Sequence, residues 1–118
     1  MVIFVKKINT LKKNYEFNHV LRKGKFYVKK QIIVYIKNNK IDKNRIGIAI
    51  NTKLCNAVKR NHLKRLIRES YYKNKDLLKK GYDIVFLWNK NTNIEIADYH
   101  QIKEEMENIF KQADLYEE

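Results

Sequence analysis

The feature that most limits how this chain can fold is an amphipathic segment, residues 56–69, which lies between two apolar runs of strand type. At about 100° per residue, an α-helix here places Leu63, Leu66 and Ile67 on one side. The other side carries the cationic and amide side chains Arg60, Asn61, Lys64, Arg65 and Arg68. Such a helix needs an apolar layer on one side and solvent or an anionic partner on the other.

Capping residues and apolar periodicity predict a short helix before the basic one and a longer helix after it. Asn14 is placed to cap the first helix and Gly24 to end it. The inward-facing residues of that helix are Phe17, Val20 and Leu21. Asn56 is placed to cap the basic helix and Asp98 to cap the last one, with Gln101 at the reciprocal capping position. The last helix has an acidic outer face formed by Glu104, Glu105 and Glu107.

Runs of β-branched and apolar residues predict four strands. Three of them fall at about residues 26–30, 31–37 and 46–51, and the last of these three alternates large and small side chains. A continuous apolar run at residues 84–88 predicts a strand in the interior of the sheet. The order is therefore helix, three strands, basic helix, strand, helix. This order predicts a single α+β domain over residues 1–118, with residues 1–9 as an extension whose structure the sequence does not predict.

The net charge of +13 is concentrated in the first two thirds of the chain. Residues 1–75 hold 21 Lys and Arg against 3 Asp and Glu, whereas the remaining residues hold 5 against 10. A strongly basic region of this kind is typical of a protein that binds a polyanion. Scattered lysines also arise from biased genome composition, but that bias does not explain why three of the five arginines lie between residues 60 and 68. A membrane-surface role is disfavoured because the basic helix has no strongly hydrophobic face.

Cysteine content and the N-terminal residues point to a cytoplasmic protein. The only cysteine, Cys55, permits no internal disulfide and is expected to be a small buried side chain. The apolar start at residues 1–5 is too short for a signal peptide or a membrane span.

The residues that could perform catalysis are few and scattered. Before residue 76 the only acids are Glu16, Asp42 and Glu69, and each falls in a different structural element. The three histidines lie in three different helices and have no cysteine or acid at metal-ligand spacing, which favours surface positions for His19, His62 and His100. The sequence therefore predicts no catalytic side chain and no metal site in this chain.

Two groups of residues have both a structural and a functional interpretation. The basic column can be a solvated helix face, yet like charges four residues apart cost roughly 0.2–0.5 kcal/mol per pair. Only Glu69 is near enough in sequence to relieve them, which favours an anionic partner. Phe17 and Tyr35 ordinarily would be packing residues, and they could also stack on bases of single-stranded RNA if they line a groove.

The basic helix resembles the signature helix of a known family. Residues 56–69 read NAVKRNHLKRLIRE, and the protein component of bacterial ribonuclease P has the pattern A-V-x-R-N-R-x-K-R-x-x-R in its signature helix. The resemblance continues in residues 11–17, in Arg45-Ile46-Gly47 and in Ile109-Phe110. It covers about residues 10–113 in the same order of elements.

The resemblance implies both a fold and a function. The implied fold is an α-β sandwich with a mixed sheet and a left-handed strand–helix–strand crossover, like domain 2 of ribosomal protein S5. The implied function is to bind the catalytic RNA of ribonuclease P and the 5′ leader of precursor tRNA. The RNA subunit, with its bound Mg²⁺, would hydrolyse the phosphodiester, so that this chain would be an accessory subunit. No cofactor of its own, membrane or protein partner is implied.

The resemblance also assigns residues to the two RNA partners. Contacts to the catalytic RNA fall on Arg60, Asn61, His62, Lys64, Arg65 and Arg68. Contacts to the leader, in a cleft between the first helix and the sheet, fall on Phe17, Leu21, Tyr35 and Lys53. The chain departs from the family pattern at three positions: His62 replaces an arginine, Cys55 a glycine and Leu21 an aromatic residue.

A rival interpretation is a non-enzymatic ribosomal or RNA-assembly protein of similar fold, since fold and charge suit both. The joint pattern of Arg60-Asn61 and Lys64-Arg65-x-x-Arg68 favours ribonuclease P. A DNA-binding helix-turn-helix would need a second helix directly before residue 56, where residues 46–51 instead predict a strand.

Overall fold

The structure contains the seven helices and strands that hydrophobic periodicity predicts, in the predicted order. The computed structural model describes residues 8–117, so the apolar start at residues 1–5 lies outside the described residues. The elements are α1 Asn14–Lys23, β1 Lys25–Val28, β2 Ile32–Asn38, β3 Arg45–Ala49, α2 Ala57–Asn74, β4 Tyr82–Trp88 and α3 Tyr99–Gln112. Two short 3₁₀ turns, Lys75–Leu77 and Ile94–Ile96, follow α2 and β4. The predicted α+β order is confirmed.

The four strands form one mixed sheet in the order β1-β2-β4-β3. Strand β2 pairs antiparallel with both β1 and β4, whereas β3 runs parallel to β4. Helix α2 therefore connects two parallel neighbouring strands, as the family resemblance implied. The interior position predicted for β4 is confirmed, because Ile84, Val85 and Phe86 are fully buried. The left hand of the crossover stays a prediction of the family resemblance.

The main core lies between one face of the sheet and the helices α2 and α3. Alternate residues of β2 and β4 point into it, and their register pairs them as Ile32 with Trp88, Val34 with Phe86, and Ile36 with Ile84. The helices contribute the buried side chains Leu63, Ile67, Tyr71, Ile102, Met106, Ile109 and Phe110. The ring of Phe86 lies edge-on to the rings of two other core residues, Tyr71 and Phe110.

Two predicted helix caps are confirmed, and two other capping predictions are wrong. The side chains of Asn56 and Asp98 accept hydrogen bonds from backbone N–H groups at 2.9 Å, as predicted. Asn14 is not a cap, because it is already the first helical residue. Instead Glu16 caps α1: its Oε1 accepts from the N–H groups of the two preceding lysines at 3.1 and 3.2 Å. The amide of Gln101 does not reach back to Asp98 but donates to a glutamate one turn later.

Glu105 is buried, so its predicted place on an acidic outer face is wrong. Its Oε1 accepts from the backbone N–H groups of Gln31 and Ile32 at 2.9 and 3.2 Å, and its Oε2 accepts from Gln101 at 3.0 Å. Buried N–H groups at the start of β2 need an acceptor, and this carboxylate supplies it from α3. The prediction for Cys55 also changes, since its side chain is only partly buried.

The outer edge of β3 is covered by the segment that precedes α1. Ile46 donates to the carbonyl of Asn9 at 2.9 Å, and its own carbonyl accepts from Leu11 at 2.8 Å. These bonds continue the sheet by one short parallel bridge, centred on Thr10. An open strand edge invites pairing with another chain, and this segment prevents it.

An ionic network joins the first turn of α1 to the sheet. The guanidinium of Arg45 donates two hydrogen bonds to Asp83, both at 2.8 Å, and one to Glu16 at 2.6 Å. The amide of Asn39 donates to the same Asp83 carboxylate at 2.9 Å. The N–H of Lys13, more than the charge of Arg45, lowers the pKa of Glu16 below its ordinary value of 4.5. The hydrogen bonds that Arg45 donates to the Asp83 carboxylate raise the pKa of Arg45.

Glu16→Gln tests this network through its pH dependence. Because folding lowers the pKa of Glu16, its stabilising contribution is complete above pH 4.5 and declines as the pH falls through the lower folded value. We expect the variant to be less stable than the parent at pH 7 and the difference to shrink as the pH falls below 4.5 and Glu16 becomes protonated. Urea unfolding of both proteins at several pH values measures this difference in the free energy of unfolding. The exposed Glu104→Gln is the control, and a difference that stays constant with pH would contradict the assignment.

Candidate nucleic-acid interface

The outward face of α2 carries cations that no acid in the described residues neutralises. Its inward residues pack in the core, and the opposite side of the helix presents the exposed residues Val58, Asn61, His62, Arg65 and Arg68. Lys64 lies at the margin of this face and is half-buried. Within residues 8–117, none of Lys64, Arg65 and Arg68 forms an ion pair. We call six residues the basic face of α2: Arg60, Asn61, His62, Lys64, Arg65 and Arg68.

Arg60 differs from the other cations of this face because it also supports the preceding loop. Its Nη1 donates to the carbonyl of Cys55 at 2.8 Å and approaches the carbonyl of Thr52 at 3.5 Å. The side chain is half-buried as a result. The remaining guanidinium donors of Arg60 stay available to a partner.

One cation near the start of α2 is neutralised within the chain. Lys59 forms an ion pair with Glu95, which lies in the 3₁₀ turn after β4. The contact holds the first turn of α2 against that turn, and His62 lies beside it in a shallow groove with Val58 and Ile94. Lys59 is therefore less available to an anionic partner than the basic face of α2.

The opposite face of the sheet consists of three rows of side chains that run across the strands. The register defines a polar row, an aromatic row and an open row. The polar row is Arg45, Asp83 and Lys37. The aromatic row is Gly47, Val85, Tyr35 and Phe26. The open row is Ala49, Leu87, Ile33 and Val28.

Helix α1 covers only part of this face. The Phe17 ring packs directly on Gly47, since a Cβ added there would lie 2.3 Å from a ring carbon. Val20 and Val85 are fully buried between α1 and β4. All four residues of the open row remain partly or fully exposed. The result is a cleft with an apolar floor, the open row, and with α1 as one wall.

Two of the predicted leader-binding residues, Phe17 and Tyr35, lie on the sheet face that forms this cleft. Phe17 and Leu21 are half-buried on α1, and Tyr35 is half-buried in the aromatic row. Lys53 is exposed in the loop after β3, four residues beyond the end of the open row. The side chain of Asn51 accepts from the backbone N–H of Lys53 at 2.9 Å and shapes that loop.

Sequence reasoning missed Phe26 as a residue of this surface. Phe26 is 60% exposed, and its ring centroid lies 5.6 Å from that of Tyr35. The alternation of side chains along each strand shows which residues share a face within that strand. It does not show that Phe26 and Tyr35 lie side by side, because that depends on how β1 and β2 pair. The open row was missed for the same reason.

Neither a metal cluster nor a membrane span is found in the described part of the chain. Among residues 8–117, no group of three or more His, Cys, Asp or Glu side chains is arranged to hold a metal ion. The helices there are too polar or too short to cross a bilayer.

A basic helix on one side of an α+β sheet and an apolar, aromatic-lined cleft on the other define a small RNA-binding domain. The ribonuclease P family model matches residues 5–114. The ribonuclease P protein component of Clostridium botulinum is 40% identical over 111 residues, which cover 93% of this chain and 98% of that protein. The corresponding protein of Natranaerobius thermophilus is 37% identical over 108 residues, 92% of each chain.

Solved structures agree with these relatives. The RNase P protein of Staphylococcus aureus superposes with a TM-score of 0.80 at 34% identity, covering 94% of this chain and all of that one. The RNase P protein of Thermotoga maritima gives a TM-score of 0.78 at 30% identity, covering 88% and 96%. The chain therefore belongs to the ribonuclease P protein component family and is part of an endoribonuclease of tRNA processing. The family membership that the resemblance implied is confirmed, and nothing favours the ribosomal-protein alternative.

Gly47→Ala tests the contact that forms the wall of the cleft. The new methyl group would overlap the Phe17 ring, so we expect a loss of about 1–3 kcal/mol in the free energy of unfolding. In a Phe17→Ala background the overlap is gone, and the same change should become neutral or slightly stabilising. Urea unfolding of the four proteins in this double-mutant cycle measures both effects. Equal costs in the two backgrounds would show that Phe17 does not pack on Gly47.

Proposed function

We propose that this chain binds the catalytic RNA of ribonuclease P through the basic face of α2 and binds the 5′ leader of precursor tRNA in the cleft beside α1. The observation that supports this proposal is that the two surfaces lie on opposite sides of the sheet. One is cationic without internal neutralisation, and the other is apolar and aromatic. Two RNA partners can therefore bind at the same time.

The basic face of α2 suits the phosphate backbone of a folded RNA. The guanidinium groups of Arg65 and Arg68 can each hold a phosphate through two parallel hydrogen bonds. Lys64 adds a point charge, and Asn61 and His62 supply hydrogen bonds beside them. Burial of the opposite side of α2 in the core holds these groups on a rigid element. Each phosphate neutralised would release counterions and make binding sensitive to salt.

The cleft suits a single strand of little defined sequence. The exposed parts of Phe17 and Tyr35 offer ring faces on which any base can stack, and Leu21 adds apolar contact. Lys53, in the loop beyond the open row, would contact a phosphate of the same strand. Affinity from stacking and backbone charge is largely independent of sequence, as a leader that varies among tRNA precursors requires.

In this proposal the chemistry belongs to the RNA subunit, and this chain acts as its accessory subunit. Mg²⁺ bound by the RNA subunit would activate the attacking water. The residues of this chain bind and orient the two RNAs, and none of them holds or moves a proton in the reaction. The proposed place of action is the cytoplasm, which a single unpaired cysteine suits.

Cleavage of precursor tRNA tests the proposed function directly. The cognate ribonuclease P RNA is assayed at low Mg²⁺ with and without this protein. The cations of the protein should matter most there, because few other cations are present to screen the RNA phosphates. We expect the protein to increase cleavage at the mature 5′ end. Absence of any stimulation, or equal stimulation by an unrelated basic protein, would reject the proposal.

Arg65→Ala tests the assignment of the basic face of α2. Loss of one charge-assisted phosphate contact should weaken binding of the RNA subunit roughly tenfold. The slope of log affinity against log salt should also fall by about 0.7–0.9. Filter binding at several salt concentrations measures both. Lys111→Ala, which removes an exposed cation from α3, is the matched control, and an equal effect in both variants would contradict the assignment.

A further inference from the structure

Phe26 is exposed to an extent unusual for an aromatic residue in a sheet. It lies in β1, an edge strand of the sheet, and 60% of its surface is accessible. Its ring contacts Tyr35 at a centroid distance of 5.6 Å and an interplanar angle of 33°. The neighbouring residue of the open row, Val28, is 54% exposed. Together these side chains continue the apolar surface of the cleft to the edge of the sheet.

The register shows how Phe26 relates to the wall of the cleft. The aromatic row passes from Gly47, beneath the Phe17 ring, through the buried Val85 to Tyr35 and then Phe26. Exposure increases along the row from β3 to β1. Strands β3 and β1 are separated by three strand spacings, roughly 14 Å. Phe17 and Phe26 are thus too far apart to stack on one base and can serve different bases of one strand.

We propose that Phe26 and Tyr35 form a second stacking platform, which extends the leader cleft across the sheet to the β1 edge and holds bases of single-stranded RNA. The proposal rests on the proposed function of the cleft and adds a subsite to it. A leader bound in this way would run across the strands beside α1, from β3 toward β1. The subsite would be used only by leaders long enough to reach β1.

The charges around the platform favour RNA as its occupant. Lys23 ends α1 directly before β1, Lys37 lies on the same sheet face as Tyr35, and Lys29 and Lys30 form the turn from β1 to β2. In the described part of the chain, none of these four lysines is paired with an acid. Two copies of the chain that met through this edge would bring like charges together. Exposed rings among unpaired cations match a strand with anionic phosphates and stacking bases.

The test uses the holoenzyme reconstituted from this protein and its cognate ribonuclease P RNA. Affinity for precursor tRNA is measured with a graded series of leader lengths for the parent and for Phe26→Ala. We expect Phe26→Ala to bind long-leader substrates roughly tenfold more weakly and short-leader substrates with unchanged affinity. Phe26→Trp should retain the affinity of the parent, because it keeps a ring at the same position.

Two controls separate stacking from an effect on folding. Phe26→Ala should retain the melting temperature and the RNA-subunit affinity of the parent, since the ring is mostly exposed. Leu77→Ala removes a side chain of similar exposure, 58%, from the 3₁₀ turn after α2 and should leave leader affinity unchanged. Replacing leader nucleotides by abasic ones should abolish the difference between the parent and Phe26→Ala.

The outcomes distinguish this subsite from the cleft as a whole. If Phe17→Ala and Tyr35→Ala weaken leader binding while Phe26→Ala does not, the platform is rejected and the cleft stands. If none of the three weakens it, the proposed leader cleft itself is rejected. An equal loss for short, long and abasic leaders would overturn stacking at Phe26. A parent protein that sediments as a dimer, with Phe26→Ala monomeric, would show that a second copy occupies this surface.

Discussion

The burial of β4 on both faces is the constraint on which the rest of the structure depends. A strand with apolar side chains on both faces needs cover above and below the sheet. Helices α2 and α3 supply it on one face, around Phe86, and α1 supplies it on the other, above Val85. The crossover through α2 follows from the parallel pairing of β3 with β4, which places the basic helix on the surface of the main core.

The two functional surfaces arise from the different extent of cover on the two faces. Helices α2 and α3 together bury one face almost completely, so the outward side of α2 is free to carry cations. Helix α1 is shorter and is anchored at one end of the other face by the hydrogen bonds among Glu16, Arg45 and Asp83. It therefore leaves the open row exposed. The cleft is a direct consequence of a helix that covers part of the polar and aromatic rows and leaves the open row uncovered.

Most local features of the fold were predicted correctly from sequence, although the capping roles of Asn14 and Gln101 were not. Contacts that join distant segments were missed. The caps at Asn56 and Asp98 depend on residues within one helical turn and were correct. The carboxylate of Glu105 binds N–H groups more than seventy residues earlier in the chain, so helical periodicity alone placed it on the wrong side. Phe26 was missed because its position beside Tyr35 depends on strand register.

The sequence by itself determined the element order, the apolar side of each element, and the pattern of cations along α2 that identifies the family. These properties follow from the periods of the helix and the strand, which act over a few residues. Tertiary structure alone decided that Arg60 also supports the loop at Cys55, that Phe17 lies on Gly47 and that the open row is uncovered. Each of these depends on strand pairing and helix placement between residues far apart in sequence, and local periodicity carries no information about them.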